Sequence, residues 1–190
     1  HDSGGYGMLG FGHTPEAVIN TMSKPQVMAN IMSPSLSHLR VANALRKEIG
    51  HTRGACPYSK FLTLNSGSES VSLAGRIADT NTKLHTDPGG RHAGKSVRRI
   101  AMKGAFHGRT ELPSWYSDSS RATYLKTLAS YKQHSDELIT IEPYSIDALK
   151  QAFADADANG WYIEAMFLEP VMGEGDPGRA VPPEFYAVAR

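Results

Sequence analysis

Apolar positions recur along this chain with two spacings, which predict helices alternating with short strands. Three- and four-residue spacing from Leu36 to Ile49 predicts an amphipathic helix, and Gly50 supplies its stop. An earlier helix is expected from Thr14 to about Lys24, because a proline occupies its first helical position. Four more helices are expected at Ser70 to about Lys83, Arg121 to Lys132, Ser145 to Asp157, and Pro183 to Arg190.

Short apolar runs between these helices predict strands at Phe61–Leu64, Val97–Met102, Leu138–Ile141 and Ala165–Leu168. The segment from His85 to Ser96 is polar and rich in glycine, which predicts a loop. Strands that alternate with helices pair in parallel through right-handed crossovers, with helices on both faces. The pattern therefore predicts an α/β fold with a mainly parallel sheet flanked by helices.

Length, charge and cysteine content narrow the possible classes. The chain has 190 residues and a formal net charge of +1, so we expect one domain or part of one and no nucleic-acid partner. Cys56 is the only cysteine, so no internal disulfide forms, and a cytoplasmic location is expected. The sequence contains neither a secretory signal nor an apolar run of membrane-spanning length. Because it starts at His1 without Met and stops at Arg190 within a predicted helix, we expect a fragment.

The first candidate motif lies between a predicted strand and a helix, at Leu64–Glu69. Unpaired N–H groups at a helix N-terminus suit a phosphate, Ser66 and Ser68 add hydroxyls, and Gly67 permits close approach. A plain connection capped by a serine explains the same residues. The motif lacks the glycine patterns of nucleotide-binding loops, which disfavours nucleoside triphosphate and nicotinamide ligands.

The second motif, Phe106–Thr110, follows a predicted strand. Loops at the carboxyl ends of parallel strands collect ligand-binding groups, and a flat aromatic side chain there can stack on a heteroaromatic ring. The alternative is that Phe106 is a core residue and His107 a hydrogen-bonded loop histidine. No two histidines stand one helical turn apart, so a metal site is not indicated.

The third motif, Phe167–Gly175, places Glu169 and Glu174 directly after an apolar strand. A partly buried carboxylate at Glu169 is costly unless it is paired or hydrogen-bonded. The structural alternatives are that Glu169 caps a neighbouring helix and that Glu174 is a solvated loop acid.

These three motifs, in this order and at similar spacing, resemble the class III (ornithine/omega-type) aminotransferases, as does Gly5–His13 followed by Pro15 and Glu16. The resemblance covers essentially the whole chain. It implies a fold-type I enzyme that depends on pyridoxal 5'-phosphate and forms a homodimer with active sites at the interface. Residues 1–50 would be an N-terminal segment with helices leading into the large domain, and residues 51–190 the first, incomplete part of that cofactor-binding domain.

The resemblance also implies roles for individual residues. The cofactor phosphate would be held by Ser66, Gly67 and Ser68. Phe106 would stack on the pyridine ring, with His107 and Gly108 shaping the loop beneath it. Glu169 would join the hydrogen-bond network around the cofactor.

Substrate contacts are implied at two positions. Glu174 matches an acid that pairs with a substrate-carboxylate arginine in several members, and Tyr6 matches a pocket residue that influences substrate choice. Met172 stands where many members have Gln, which is expected to alter the pocket, and Ser68 stands where many have Thr, which keeps a hydroxyl.

In this family the lysine that binds the cofactor covalently lies further along than Glu174. We therefore expect no catalytic residue in this chain, the lysine beyond Arg190, and no activity for the fragment alone. Lys103 is the only internal candidate, and a solvated strand-end lysine is the favoured interpretation.

The implied reaction is the transfer of an amino group from an amino acid or amine to a 2-oxo acid, with small-molecule donor and acceptor. Shared cofactor motifs leave open an aminomutase, racemase or decarboxylase of the same family. A non-catalytic domain of the same fold is a further alternative. The sequence does not select a substrate.

Overall fold

The computed structural model describes residues 11–25 and 35–190, so Tyr6 and most of the Gly5–His13 motif lie outside it. The chain divides into two compact units, His1–Leu62 and Thr63–Arg190, and each is described by itself. The predicted site residues from Ser66 onward all belong to the second unit.

The first unit contains two described helices, α1 (Glu16–Met22) and α2 (Leu36–Gly50). The α2 helix begins and ends where the apolar spacing predicted, and the Ser35 hydroxyl caps it by accepting a hydrogen bond from His38 N at 3.2 Å. Neither helix buries a residue completely, and the apolar side chains of Leu36 and Leu39 are exposed.

The second unit alternates helices with strands, in the order α3 (Gly67–Thr86), β1 (Ser96–Met102), α4 (Glu111–Ser114), α5 (Asp118–Thr127), β2 (Leu138–Ile141), α6 (Ile146–Ala158), β3 (Trp161–Met166) and α7 (Pro183–Ala189). Two short 3₁₀ segments, Ala129–Gln133 and Ser135–Glu137, join α5 to β2. Within the described ranges, no helix has the length and apolar content needed to cross a membrane.

The three strands form a parallel sheet in the order β2-β1-β3, with β1 in the centre. Ile100 of β1 is opposite Ile139 on one side and Met166 on the other, and the register with β3 shifts between Arg98 and Arg99. The parallel pairing confirms the predicted α/β fold.

One predicted strand is wrong, because Phe61–Leu64 forms no strand in the structure. β1 pairs only with β2 and β3 among the described residues, so this short apolar run has no ladder to join. The side chains of Leu62 and Leu64 are exposed. A four-residue apolar run is therefore not enough to predict a strand when no neighbouring strand is there to pair with it.

Other predicted boundaries shift by several residues. β3 begins at Trp161 rather than Ala165, because Gly160, with φ +66°, ends α6 and lets the chain turn directly into the sheet. The helix predicted from Arg121 to Lys132 starts at Asp118 and ends at Thr127, and a separate 3₁₀ segment begins at Ala129 after the extended Leu128. The predicted loop from His85 begins two residues later, since α3 continues through Thr86.

One face of the sheet carries the hydrophobic core. Side chains alternate between faces along a strand, so Ile100 and Met102 share a face. They pack with Leu149 and Ala152 of α6 and with Phe185 of α7. This burial fixes α6 and α7 against the sheet and leaves the loops after the strands at its carboxyl edge.

The opposite face carries a buried ion cluster. Arg99 Nε lies 2.6 Å from Glu164 Oε2, and Arg99 Nη1 also pairs with Glu137. The Glu164 side chain is only 1% exposed. Burial raises the pKa of Glu164, and the positive charge of Arg99 opposes that shift. The Arg99 guanidinium carbon also lies 5.6 Å from the ring centroid of Tyr116.

Replacing Arg99 with Met is expected to lower the free energy of unfolding by about 3–5 kcal/mol, because the buried Glu164 carboxylate loses its counter-charge. The double variant Arg99→Met/Glu164→Leu removes that charge and is expected to recover most of the loss. Urea denaturation of both variants and the unchanged protein measures the difference. A double variant no more stable than Arg99→Met would contradict this account of the cluster.

Candidate functional site

Three backbone segments meet at the carboxyl edge of the sheet. They are the α3 turn (residues 66–68), the central loop after β1 (residues 103–108) and the acidic loop after β3 (residues 169–175). The sequence motifs fall on these segments. Parallel strands place the loops that follow them at one edge, where ligands bind in folds of this class.

The α3 turn is a helix N-terminus that is capped by a serine but leaves two backbone N–H groups without acceptors among the described residues. Ser66 Oγ accepts a hydrogen bond from Glu69 N at 3.2 Å, and Glu69 Oε2 accepts one from Asn65 N at 2.7 Å. The N–H groups of Gly67 and Ser68 have no acceptor in the described part of the chain. A Cβ at Gly67 would have no neighbour within 4 Å, so the turn is open. The positive end of a 20-residue helix here favours an anion.

Gly108 brings the central loop into contact with the α3 turn. Its φ is +123°, and a Cβ at this position would lie 2.5 Å from Ser68 Oγ and 3.2 Å from Ser68 Cα. Any larger residue would therefore separate the two segments. Ser68 and Gly108, which are distant in sequence, are therefore neighbours in the structure.

Phe106 is half-buried and does not belong to the hydrophobic core cluster. Its backbone N–H donates to Glu169 Oε2 at 3.1 Å. The guanidinium carbon of Arg109 lies 5.5 Å from the centroid of its ring. The alternative that Phe106 is a core residue is therefore not what the structure shows.

Glu169 joins two loops through its carboxylate. Oε2 accepts the hydrogen bond from Phe106 N, and Oε1 accepts one from Gly173 N at 3.2 Å. Sequence reasoning required a partner for a partly buried carboxylate here, and backbone N–H groups supply it. Glu169 caps no helix with these bonds, so that structural alternative is wrong.

Two glycines bring the acidic loop against the central loop. Gly104 and Gly175 have φ values of +76° and +69°. A Cβ at Gly104 would lie 2.7 Å from Gly175 Cα, so the two backbones touch without side chains between them. This contact places Glu174, the residue before Gly175, beside the loop that carries Phe106.

Glu174 lies in the acidic loop, and hydrogen bonds to Arg179 O fix the backbone on either side of it. Met172 N donates to Arg179 O at 2.9 Å, and the Tyr144 hydroxyl donates to the same oxygen at 3.0 Å. The Glu174 side chain is exposed, and its backbone oxygen accepts from Asp176 N at 2.6 Å. The exposed Glu174 carboxylate is therefore available to pair with a cation.

Met172 does not lie in an open pocket. Its side chain is 2% exposed and packs in the core with Ile100 and Phe185. The expectation that this residue alters the pocket is therefore wrong for the described structure, because the side chain faces the sheet. Its effect is on packing at the base of the acidic loop.

His107 is buried, with 8% of its surface exposed. Its backbone N–H donates to Ser117 Oγ at 2.8 Å, and its ring packs 5.8 Å from that of Phe167. Its Nε2 atom is buried and has no hydrogen-bond partner among the residues described. Burial lowers the pKa of His107 to about 4, so the imidazole is neutral near pH 7.

Sequence reasoning missed Ser117 and Asp118, which bind the central loop from the start of α5. Asp118 Oδ2 accepts from Gly104 N at 2.8 Å, and Oδ1 accepts from Thr140 Oγ1 at 3.1 Å. A Ser-Asp pair at the start of a helix is typical of an N-terminal cap, yet the Ser117 side chain does not cap α5, and the Asp118 carboxylate accepts its hydrogen bonds from other elements. No local signal in the sequence distinguishes these roles.

Two other expected residues have different outcomes. Tyr6 lies outside the described residues, so its role stays a prediction. The Lys103 side chain is 66% exposed, and its Nζ lies 3.0 Å from Glu142 Oε1. This geometry agrees with the solvated strand-end lysine favoured from the sequence.

Comparison with known families gives one match. A family model described as aminotransferase class-III matches residues 3–190 of this chain. The matched range contains all three backbone segments of the candidate site and also Tyr6. The motifs and the family model therefore identify the same relationship independently of the geometry.

Burial of His107 is expected to make stability depend on pH. The pKa of His107 is depressed in the folded state, so the unfolded chain takes up the proton first as the pH falls. The stability of the protein is therefore undiminished above the ordinary histidine pKa of 6.5 and decreases as the pH falls towards 4. Relative to a His107→Gln variant, the protein is expected to lose about 3 kcal/mol of unfolding free energy across this range. Urea denaturation at several pH values measures it, and parallel pH curves for the two proteins would refute the assignment.

Glu169→Gln is expected to lower the free energy of unfolding by about 1–3 kcal/mol, because the amide NH₂ then faces one of two backbone N–H groups. Glu174→Gln is the matched control, since the Glu174 side chain is exposed, and is expected to change stability by less than about 0.5 kcal/mol. Thermal or urea unfolding of both variants checks this. Equal effects at the two positions would contradict the bridging role of Glu169.

Proposed function

Because this chain belongs to the class-III aminotransferase family, we propose that its three converging segments bind pyridoxal 5'-phosphate in an enzyme that transfers an amino group from an amino acid or amine to a 2-oxo acid. The observation that carries the proposal is the contact of the α3 turn with the loop that presents Phe106. That contact joins a helix start with unbonded N–H groups to the loop that carries an aromatic side chain, which supports a site for a phosphate attached to a flat ring.

The α3 turn fits a phosphate group. Gly67 and Ser68 have N–H groups without acceptors in the described ranges, and the space at Gly67 is open. Ser66 and Ser68 add hydroxyl groups at the positive end of α3. We infer that these three residues hold the cofactor phosphate, mainly through backbone N–H groups.

The central loop fits the flat ring of the same cofactor. Phe106 provides the stacking face, Glu169 holds its backbone, and Gly108 keeps the loop against Ser68. His107 adds a neutral imidazole with a buried Nε2 atom, so it introduces no positive charge beside the ring. When bound, pyridoxal phosphate supplies an electron sink and carries the transferred nitrogen.

Substrate recognition is assigned to residues on the open side of the site. The exposed Glu174 carboxylate is placed to pair with an arginine that would otherwise hold a substrate carboxylate. Such a pair would open for an oxo-acid acceptor and close for a donor without that carboxylate. Tyr6 is proposed as a pocket residue on the strength of the resemblance alone.

The covalent lysine is proposed to follow Arg190 in the natural protein. Lys103 comes directly after β1, but it is exposed and paired with Glu142, which does not favour a lowered pKa or attack on a cofactor. A homodimer with shared active sites and a cytoplasmic location belong to the same proposal.

The proposal is tested on the natural, full-length protein. It is expected to bind pyridoxal phosphate with a shifted absorption band, and borohydride reduction followed by peptide mapping is expected to place the label on a lysine after Arg190. In the same preparation, a ¹⁵N-labelled donor is expected to deliver its nitrogen to a 2-oxo acid.

Each failure has a distinct meaning. A label on Lys103 would overturn the assignment of the lysine, and absence of both band and label would support a non-catalytic domain. The protein could also bind the cofactor but transfer no nitrogen to any acceptor. Rearrangement, racemisation or decarboxylation of the donor would then assign another reaction of the family.

A further inference from the structure

The central loop is anchored at successive backbone positions by groups from several elements. Its N–H donors from Gly104 to His107 all have acceptors within hydrogen-bond distance: Asp118 Oδ2 for Gly104, Met102 O for Ala105, Glu169 Oε2 for Phe106 and Ser117 Oγ for His107. Ser119 N also donates to Ala105 O at 3.1 Å. The loop is therefore fixed in position rather than merely packed.

Ser117 makes the anchor closest to the contact with the α3 turn. Its side chain is fully buried, with 0% exposed. Its Oγ accepts from His107 N and lies 3.1 Å from Gly108 O and 3.0 Å from Pro113 O, to which its single proton can be donated. One hydroxyl thus contacts the backbone on both sides of the His107–Gly108 peptide.

Ser117 stands at a helix N-terminus, where its hydroxyl would be expected to bond to its own helix. Ser117 is the N-cap residue of α5, where a serine ordinarily accepts a hydrogen bond from its own helix. Here it makes no such bond. Its hydrogen-bonding capacity is directed to the central loop instead, although the capping bond would stabilise α5.

We propose that Ser117 is a positioning residue for the cofactor. It holds the His107–Gly108 peptide so that Gly108 meets Ser68 and Phe106 presents its ring at a fixed distance from the α3 turn. This inference rests on the proposed function, because it assigns the bond a role in placing pyridoxal phosphate. Because Ser117 is fully buried, it would act through the His107–Gly108 peptide and not by direct contact with the cofactor.

The test compares three variants of the natural protein prepared without cofactor. Ser117→Ala removes the hydroxyl, Ser117→Thr restores it, and Ser120→Ala is the control, since the Ser120 hydroxyl makes no hydrogen bond within the described ranges. Affinity for pyridoxal phosphate is measured by absorbance titration at a temperature where every apoprotein is folded. Global stability then does not affect the dissociation constant.

Ser117→Ala is expected to weaken binding about tenfold, because the His107 N–H is left buried without an acceptor and the loop shifts. Ser117→Thr is expected to remain within about threefold of the unchanged protein, and Ser120→Ala to match it. The circular dichroism of the bound cofactor's absorption band reports ring orientation, and it is expected to shrink in Ser117→Ala alone.

Unchanged affinity and dichroism in Ser117→Ala would overturn the inference, as would a Ser117→Thr variant that is as stable to urea as the unchanged protein yet binds as weakly as Ser117→Ala. If Ser117→Ala does not fold, Ser117→Cys keeps a similar volume with a weaker acceptor, and wild-type binding by that variant would overturn the inference equally. If the unchanged protein binds no pyridoxal phosphate, the proposed function itself fails.

Discussion

The arrangement of the candidate site depends on one carboxylate shared between two loops. Glu169 accepts hydrogen bonds from Phe106 N and Gly173 N, and the loops involved follow β1 and β3, which are neighbours in the sheet. Hydrogen bonds to an ionised acceptor are stronger than neutral ones, and the two N–H groups in turn satisfy a partly buried charge. The parallel register of the strands sets the spacing that makes this bridge possible, so the core beneath the sheet indirectly fixes the position of Phe106.

Glycine supplies the second constraint, because the three segments approach at backbone distance. Gly104 meets Gly175 between the central and acidic loops, and Gly108 meets Ser68 between the central loop and the α3 turn. A Cβ at any of these glycines would enter space held by backbone or by Ser68. Hydrogen bonds from α5 then hold the central loop in the conformation that these contacts require. The result joins a helix start with unbonded N–H groups, an aromatic face and an exposed acid within one unit.

Local patterns in the sequence predicted the parts of this site, but not how they are held. Periodicity gave the bounds of α2 and β2, and composition gave the three motifs, because both depend on neighbours in sequence. The partner of Glu169 is 63 residues away in the chain, and no local pattern specifies such a contact. Ser117 and Asp118 carry the signature of a helix cap, which concealed their bonds to the central loop. The Phe61–Leu64 run failed as a strand since pairing requires a neighbour that periodicity does not supply.

A crystal structure of the natural protein with pyridoxal phosphate bound tests the central claim most directly. The account predicts a phosphate group accepting hydrogen bonds from the backbone N–H groups of Gly67 and Ser68, with the pyridine ring stacked on Phe106 and the Glu169 bridge intact. A phosphate bound elsewhere, or a ring that does not contact Phe106, would contradict the assignment of these three segments as the cofactor site.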